Sequence, residues 1–415
     1  MKKFKLSEIA KIEMGQSPQG NTCNEKGEGM PLLNGPTEFT DFYPIPTQYT
    51  TDGKRFSEAG EILFCVRGST TGRMNWSDRP YAIGRGLASL SHKEGKEYNY
   101  FLKYLIHQNL NSILKSANGS TFPNLTADIL ASYEFSVPEL TSQLKISSFL
   151  SLIDSKIGLN NRINAELEAM AKTIYDYWFV QFDFPNEKGK PYKTSGGKME
   201  DSTELKREIP KGWSVKKIEE FGEFKNGINY DPSVKGDTDA KIINVRNISS
   251  SNLFVSQYDL DTISLERTNV NNYLVTEKDI LIARSGIPGA TRMMFEFAED
   301  TIYCGFIIRF QVKSLSEKNY LFYFLKDMEK NTTSKSGGTI MPNVNQDTLK
   351  RMLIVQPDKE MISRFNSFVN PIFANINTII KENQKLAELR DWLLPMLMNG
   401  QVKVKSIKER ESAVV

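Results

Sequence analysis

The chain of 415 residues contains few cysteines and histidines, two residue types that many enzymes use for catalysis or metal binding. Its three cysteines, Cys23, Cys65 and Cys304, are scattered without CxxC spacing, which argues against a disulfide scaffold and against a zinc site. The two histidines, His92 and His107, lie outside any recognisable motif. A Ser-His-Asp triad or a histidine-rich metal site would require one of them, so the sequence predicts no catalytic residues and no metal site.

Long apolar runs and a strong excess of one charge are also missing. No segment approaches the ~20 apolar residues that span a bilayer. The start, MKKFKLSEIAKIEMG, has charge without the apolar run of a signal peptide. These features predict a cytoplasmic protein without a membrane partner. The formal net charge of +3 neither requires nor excludes a nucleic acid, because a basic face can occur on a chain whose total charge is balanced.

The most informative feature that is present is an internal repeat. The stretch GSTFPNLTADILASYEFSVPEL resembles GGTIMPNVNQDTLKRMLIVQPDK, and Pro123-Asn124 corresponds to Pro342-Asn343 with an offset of 219 positions (342 − 123). GEILFCVRGSTTGRMNW and KDILIARSGIPGATRMMF form a second matching pair. Such a duplication indicates two copies of one fold, which suits the length of the chain.

Each copy is predicted to mix helices and strands. Short apolar runs that are typical of buried strands lie at residues 62–66, 280–283 and 352–355. Residues 133–137 alternate like a half-buried strand. Thr126 and Asn345 are predicted N-caps of a short helix after the Pro-Asn turn of each copy. The Pro-Asn pairs are therefore interpreted as structural elements.

After each repeated stretch, seam residues recur at alternating spacings of three and four, the pattern of long helices packed on each other. The first seam consists of Ile146, Leu150, Ile153, Ile157, Asn160, Asn164, Leu167, Ala171, Ile174 and Trp178. The second consists of Phe365, Val369, Ile372, Ile376, Ile379, Asn383, Leu386, Arg390, Leu393 and Leu397. Pro371 is expected to kink the second helix. Asn164 and Asn383 occupy equivalent positions, where a buried asparagine would fix the register.

These patterns predict an α+β protein with two similar domains and two long helices. A segment rich in Gly, Pro, Lys and Ser has no periodicity and is interpreted as a linker. If the helices pair as an antiparallel coiled coil, an approximate twofold axis relates the two domains. The predicted boundaries are 1–140 for the first domain, 141–182 for the first helical spacer, 183–211 for the linker, 212–357 for the second domain, 358–400 for the second spacer and 401–415 for a C-terminal tail.

Over nearly its whole length the chain resembles the specificity (S) subunit of type I restriction–modification enzymes. The resemblance rests on GSTFPNLTADILASYEFSVPEL, on YDYWFVQFDFPNEKGKPYKTSGG followed by REIPKGW, and on LRDWLLPMLMNGQVKV. It implies two target-recognition domains that each read one half of a split double-stranded DNA sequence, with a gap set by the helical spacers. It further implies docking of two modification (methyltransferase) subunits. Methylation and cleavage would then be carried out by modification and restriction/translocase subunits, with S-adenosylmethionine, ATP and Mg bound there and no cofactor on this chain.

The sequence shows no motif that would make this chain an enzyme. The adenine-methyltransferase tetrad, (Asp or Asn)-Pro-Pro-(Tyr or Phe), is absent, since Asp231-Pro232-Ser233 fails at its third position, and so is a GxxxxGK(S/T) phosphate loop. The chain is therefore expected to be non-catalytic. One alternative is a stand-alone DNA-modifying enzyme with a duplicated domain, which would itself bind S-adenosylmethionine or a metal. Another is a coiled-coil scaffold, which would lack salt-dependent affinity for DNA.

Candidate DNA contacts are polar residues on loops near the predicted buried strands. Base edges are read by Arg, Lys, Asn, Gln, Ser and Thr, and phosphates are bound by Lys and Arg. The candidates are Gln16, Ser17, Arg67, Ser69, Thr70, Thr71, Arg73 and Asn75 in the first domain, and Asn226, Asn229, Arg284, Ser285 and Arg292 in the second. The alternative interpretation is that the glycines of these loops build a turn whose basic residues are solvated.

Overall fold

The computed structural model describes residues 1–40, 42–116, 124–231, 236–333 and 344–404. Pro123, Pro342 and Asn343 of the repeated sequence lie outside the described residues. The chain divides into two compact units: unit 1 comprises Met1–Arg162 and Ile380–Val415, and unit 2 comprises Ile163–Ile379. Both boundaries fall inside long helices, so each unit contains an α+β head and one segment of each long helix.

The strands that precede the first long helix all belong to unit 1. They are β1 (Lys2–Lys5), β2 (Ala10–Met14), β3 (Cys23–Asn24), β4 (Met30–Leu33), β5 (Gln48–Thr50), β6 (Phe56–Ser57), β7 (Ile62–Cys65), β8 (Met74–Trp76), β9 (Tyr81–Ile83), β10 (Leu87–His92) and β11 (Glu134–Val137). The helices of this part are α1 (Leu6–Ile9), α2 (Asn99–Lys115), α3 (Ala127–Ser132) and the long α4 (Leu140–Tyr175), which continues as a π-helical turn at Asp176–Val180.

The second half of the chain repeats part of this order of elements. Its strands are β12 (Met199–Ser202), β13 (Arg207–Pro210), β14 (Ser214–Lys217), β15 (Gly222–Asn226), β16 (Thr238–Ile243), β17 (Asp261–Leu265), β18 (Asp279–Ala283), β19 (Thr291–Arg292), β20 (Thr301–Tyr303), β21 (Ile307–Val312) and β22 (Leu353–Gln356). Its helices are α5 (Val245–Ser250), α6 (Arg267–Asn272), α7 (Lys318–Thr333), α8 (Gln346–Lys350) and the long α9 (Lys359–Met398).

Single 3-10 turns occur in both halves of the chain. They lie at Gly20–Thr22, Pro36–Glu38, Lys96–Tyr98, Ile218–Glu220, Gln257–Asp259 and Leu315–Glu317.

The two heads share one sheet topology in their four-stranded sheets, whereas the neighbouring sheet has the order β3-β5-β4-β9-β6 in unit 1 and β17-β16-β20 in unit 2. An antiparallel sheet has the order β2-β10-β7-β8 in unit 1 and β15-β21-β18-β19 in unit 2. Beside it, β4 pairs in parallel with β9, and β16 pairs in parallel with β20. Strand β1 pairs with β11, and β14 pairs with β22. The duplication predicted from the sequence is therefore present in the hydrogen-bonded strand order.

The short elements that the sequence predicted are found in the structure. All side chains of β7 and β18 are buried, and those of β11 alternate between exposed and buried. Strand β22 covers the third predicted run, although its first residue, Leu353, is 36% exposed. Thr126 Oγ1 accepts a hydrogen bond from Ile129 N at 3.4 Å, and Asn345 Oδ1 accepts one from Thr348 N at 2.8 Å. Both predicted N-caps are confirmed.

The seam of the long helices is also confirmed, since all twenty predicted positions are buried or half-buried. In unit 1, Asp154 pairs with Arg390 and Asn160 pairs with Asn383. Residue numbers therefore increase along one helix while they decrease along the other. The helix segments of unit 1 are therefore antiparallel. In unit 2 the Trp178 and Phe365 rings lie 6.1 Å apart and join the two helix segments.

The asparagines of the seam differ in their contacts. Asn160 Nδ2 donates to Asn383 Oδ1 at 2.8 Å, and Asn383 Nδ2 donates to Asn161 Oδ1 at 2.8 Å. Asn164 Oδ1 is buried and accepts no hydrogen bond from the described residues. The predicted register contact is therefore made by Asn383 with Asn160. Helix α9 passes through Pro371 without interruption, and the kink at this residue stays a prediction.

The predicted linker at 183–211 is a folded segment. Strands β12 and β13 form a hairpin within it. Asp183 accepts hydrogen bonds from Thr194 N and Thr194 Oγ1 at 2.8 and 2.6 Å. The ring of Phe184 stacks on those of Tyr192 and Trp213 at centroid distances of 4.5 and 5.1 Å. The sequence predicted only a linker here, because these contacts follow no periodic pattern. Separately, among the helices that the structure describes, none is long and apolar enough to cross a membrane.

A buried polar group joins the head of unit 1 to its helix segments. Asp154, 3% exposed, accepts hydrogen bonds from the Tyr104 hydroxyl of α2 at 2.7 and 2.8 Å and from Arg390 at 3.0 Å. Burial and the neighbouring carboxylate raise the pKa of Tyr104, which keeps its hydroxyl a donor. A buried carboxylate depends on such partners, so removing one member of this group should strongly destabilise unit 1.

We expect Asp154→Ala to lower the free energy of unfolding of unit 1 by about 3 kcal/mol, because Arg390 and Tyr104 lose their buried acceptor. The matched control is Asp391→Ala, which removes a second acceptor of Arg390 that is 62% exposed and should cost less than about 1 kcal/mol. Native-state hydrogen exchange of the amides in α2 measures both changes. Equal losses in the two variants would contradict a special role for the buried carboxylate.

Candidate nucleic-acid interface

Four strand ends of unit 1 meet at one tight turn, Gly84–Leu87, between β9 and β10. Leu87 N donates to Gly84 O at 3.0 Å and closes the turn. Gly84 N donates to Leu33 O at the end of β4, and Val66 N, just after β7, donates to Gly86 O. Gly15 N, just after β2, donates to Leu87 O. The turn is therefore held by backbone hydrogen bonds on three sides.

The backbones at this turn lie too close together for side chains. A Cβ added to Gly15 would collide with the carbonyl oxygens of Gly84, Ile83 and Leu87. Side chains at Gly84 or Gly86 would collide with Asn34. Glycine is required here by close approach, and the turn has little freedom to move.

Polar side chains surround the turn of unit 1. Gln16 and Ser17 are exposed, and Ser17 Oγ accepts a hydrogen bond from Arg85 N at 3.3 Å. Arg67 is exposed and donates from Nε to Asn124 Oδ1 at 3.2 Å. Asn34 is exposed as well and donates to Gln48 Oε1 at 2.9 Å. Three of the predicted candidates, Gln16, Ser17 and Arg67, thus lie on elements that the turn brings together.

The remaining candidates of unit 1 follow Arg67 on a glycine loop. Gly68 and Gly72 have φ angles of 95° and 97°, which favour glycine. Ser69 is exposed, and Thr70 and Thr71 are half-buried. Thr71 Oγ1 donates to Gly68 O at 2.7 Å, so this hydroxyl helps to close the loop. Arg73 is exposed and donates to Pro36 O at 3.4 Å, which leaves most of its guanidinium open to solvent.

Asn75, a predicted DNA contact, lies inside the head of unit 1. Asn75 is 2% exposed on β8, donates to Thr40 O at 2.7 Å and accepts from Trp76 N at 2.8 Å. Its amide joins two backbone segments inside the head. A residue with both ends of its side chain engaged and almost no exposed surface serves the fold.

Unit 2 contains the same turn at Cys304–Ile307, between β20 and β21. Ile307 N donates to Cys304 O at 3.0 Å, and Cys304 N donates to Ile243 O at the end of β16. Arg284 N donates to Phe306 O, and Gly227 N donates to Ile307 O. Each bond has its counterpart in unit 1. We call Gly84–Leu87 and Cys304–Ile307 the strand-end turns.

Several candidates of unit 2 lie at its strand-end turn. Asn229 is exposed, and its Oδ1 lies where a Cβ on Gly305 would be. Arg284 is half-buried and donates to Gly305 O at 3.2 Å. Ser285 follows it and is half-buried, and Asn226 is exposed at the end of β15. The hydrogen bonds make Arg284 equivalent to Val66 rather than to Arg67, so the sequence alignment of the two arginines is shifted by one residue.

Arg292, another predicted DNA contact, has its guanidinium engaged inside the head of unit 2. It is 4% exposed on β19 and donates to Ser251 O at 2.5 Å, to Thr291 O at 2.8 Å and to both carboxylate oxygens of Glu329 at 2.9 and 3.0 Å. Although burial acts to raise it, the hydrogen bonds from Arg292 and the charge of Lys326 lower the pKa of Glu329. Arg292 therefore belongs to a buried ion pair.

Reasoning from the sequence missed the residues of the turns themselves. Arg85 and Phe306 project from the two strand-end turns, and Asn34 lies beside the first. Aligning YAIGRGLASL with TIYCGFIIRF, each a short apolar strand followed by a glycine-containing turn, could have found both turns. Within the described residues, no group of three or more His, Cys, Asp or Glu side chains could hold a metal ion.

We expect Arg292→Ala to reduce the stability of unit 2 and Arg67→Ala to reduce DNA binding. Arg292→Ala should lower the stability of unit 2 by about 3 kcal/mol, because Glu329 loses both guanidinium hydrogen bonds. Arg67→Ala should change the stability by less than about 0.5 kcal/mol, since the side chain is exposed, but should weaken duplex-DNA binding. Urea unfolding and DNA titration at two salt concentrations measure the two properties. Normal DNA affinity of the Arg67 variant would remove this residue from the interface.

Comparison with known proteins finds relatives that match most of the chain. The family described as type I restriction modification DNA specificity domain matches residues 1–169 and 210–386. The type I restriction enzyme MjaIX specificity subunit of Methanocaldococcus jannaschii is 25% identical over 424 aligned residues, which cover 97% of this chain and 94% of that protein. The HindI specificity subunit of Haemophilus influenzae is 26% identical over 347 residues, covering 70% and 73% of the two chains.

A solved structure shares the fold. The type I restriction–modification S subunit from M. genitalium covers 96% of this chain and 96% of its own, with a TM-score of 0.54 at 14% identity. The two heads and the long helices thus follow a known arrangement of elements. Since the matched family model occupies most of the sequence, in two copies, this chain belongs to the specificity subunits of type I restriction–modification systems.

Proposed function

We propose that the chain recognises a bipartite, asymmetric DNA sequence and reads one half-site with the strand-end turn of each unit. The observation that carries the proposal is the repetition of one hydrogen-bonded turn with different side chains around it. Two similar scaffolds suit two half-sites. Different side chains on these scaffolds predict that the half-sites differ in sequence.

The chemistry of the surrounding residues supports DNA as the ligand. Gln16, Ser17 and Arg67 in unit 1 and Asn229 in unit 2 are exposed donors or acceptors of the types that read base edges. Arg73 has the exposed charge that binds phosphate. These residues lie on or beside backbone whose position is fixed by hydrogen bonds. Little conformational entropy would therefore be lost when they contact bases.

In this proposal the chain supplies recognition, and its partner subunits supply chemistry. The sequence has neither the methyltransferase tetrad nor a phosphate loop. S-adenosylmethionine, ATP and Mg would bind to the modification and restriction/translocase subunits. The target adenine would be flipped out of the duplex into the pocket of a modification subunit.

The long helices would dock two modification subunits, one on each unit. In unit 1, Leu152 of α4 and Trp392 of α9 are 69% and 67% exposed. Each lies two residues from a member of the Asp154–Arg390 ion pair, so both are at the same level of the helix pair. In unit 2, Met170 of α4 and Phe368 of α9 are 53% and 54% exposed. Large exposed apolar side chains on otherwise charged helices are typical of protein interfaces.

The purified chain alone should show no methylation, and addition of modification subunits should create S-adenosylmethionine-dependent adenine methylation at a bipartite sequence. Native mass spectrometry should find two modification subunits bound. Replacing Leu152 and Trp392 by Ser should remove one copy, and replacing Met170 and Phe368 by Ser should remove the other. Methylation by the chain alone, or a saturated one-to-one complex of the unaltered chain, would refute the proposal.

A second test concerns the gap between half-sites, which we propose is set by the helices. One heptad adds about 10.5 Å of helix, equivalent to about three base pairs. Inserting one heptad in both helices, near Leu167 and Leu386, keeps the seam in register and should lengthen the gap by roughly one to three base pairs, since tilt and a kink at Pro371 would reduce the gain. Methylation mapping reads the result. An unchanged gap with full activity would show that the helices do not set it.

A further inference from the structure

One side chain projects from each strand-end turn, and it is a different residue type in the two units. In unit 1, Gly84 and Gly86 lie against Asn34 and Leu87 is buried, so only Arg85 points away from the turn into solvent. In unit 2, Cys304 and Ile307 are buried and Gly305 lies against Asn229, so only Phe306 projects. The ring of Phe306 is 60% exposed.

Arg85 differs from the nearby Arg67 and Arg73 in the hydrogen bonds of its guanidinium group. Arg67 donates to Asn124, and Arg73 donates to Pro36 O. No described residue accepts a hydrogen bond from the Arg85 guanidinium or forms an ion pair with it, while its backbone N–H is bonded to Ser17 Oγ. The backbone of Arg85 is thus held in place, while the five N–H donors of its planar guanidinium group are available to a ligand.

Phe306, whose place in the turn corresponds to that of Gly86, is also held by its backbone. Its carbonyl accepts a hydrogen bond from Arg284 N at 2.8 Å, whereas the described aromatic rings make no stacking or edge contact with its own. A single exposed apolar residue on a protein surface normally needs no explanation. Here the residue occupies the turn that is equivalent to the one carrying Arg85, in a part of the surface otherwise lined by Asn229 and Arg284.

We propose that Arg85 and Phe306 are specificity-determining residues, with Arg85 reading a guanine and Phe306 reading the methyl group of a thymine. This inference rests on the proposed DNA recognition by the strand-end turns. Arginine binds the O6 and N7 atoms of guanine with two parallel hydrogen bonds, and phenylalanine contacts the thymine methyl group in the major groove. One half-site therefore contains a G·C pair that depends on Arg85, and the other contains a T·A pair that depends on Phe306.

The test uses the full chain in complex with its modification subunits. Methylation mapping of the unaltered complex first defines the two half-sites. In Arg85→Ala, discrimination at one G·C position of one half-site should fall by about 5- to 150-fold, with the other half-site unchanged. In Phe306→Ala, preference for one T·A pair should fall by about fourfold in the opposite half-site. Arg79→Ala and Tyr258→Ala are the controls, since both residues are exposed in the same units away from the turns.

Modified bases identify the contacted atoms. Replacing the assigned guanine by 7-deazaguanine, which lacks the N7 acceptor, should weaken binding by the unaltered complex and have no further effect on Arg85→Ala. Replacing the assigned thymine by uracil, which lacks the methyl group, should do the same for Phe306→Ala. Thermal unfolding of each variant within about 1 °C of the unaltered chain establishes that the fold is intact.

Three results would overturn the inference. Uniform loss of affinity over all sequences, with a salt slope smaller by about one, would place Arg85 on a phosphate. Unchanged discrimination in both variants would place both side chains in solvent. Equal sensitivity of variant and unaltered complexes to the modified bases would assign those atoms to other residues. If the unaltered complex methylates no bipartite sequence, the proposed function itself fails, which separates the two failures.

Discussion

The surface that we assign to DNA depends on the close approach of backbones at the strand-end turns. Gly15 in unit 1 and Gly227 in unit 2 lie so near to turn carbonyls that any side chain would collide with them. Because the space is filled by backbone hydrogen bonds, each turn has a defined position relative to the strands around it. Side chains that project from it begin at a fixed point, and the entropy lost when they bind is small. Their length and chemistry, rather than loop motion, then decide what they contact.

A second constraint fixes the register of the helix segments in unit 1. An apolar seam that repeats every seven residues is compatible with more than one register, since a shift by one heptad restores most contacts. The buried contact between Asn160 and Asn383 exists in only one of them. Asp154 adds a link to the head through Tyr104, so the helix segments and the head of this unit share one buried polar network. Polar residues inside the seam thus specify an arrangement that apolar packing alone leaves ambiguous.

The sequence predicted those parts of the fold whose signal is periodic or repeated. The helix seam, the buried strands and the two N-caps follow from spacing and residue type, which local physics determines. The folded structure of segment 183–211 was not predicted, because it depends on contacts such as that of Phe184 with Trp213, which leave no periodic pattern in the sequence. The candidate site was predicted only in part for a related reason. Arg67 and Arg292 look alike in sequence, yet of the two only Arg292 pairs with a described carboxylate, that of Glu329, which lies 37 positions away.

The two units also show why recognition can differ between copies of one scaffold. The buried positions occupied by Asn75 and Arg292 are equivalent, since they lie opposite Leu63 and Leu281 in matching strand pairs. Each has its own set of partners, so exchanging one residue would leave buried polar groups unsatisfied and would destabilise the head. Arg85 and Phe306 have no such side-chain partners among the described residues, and a substitution there leaves the backbone hydrogen bonds of the turn intact. A single change at a projecting position can therefore alter the DNA contact at almost no cost in folding free energy, whereas a change at a buried position requires compensation elsewhere.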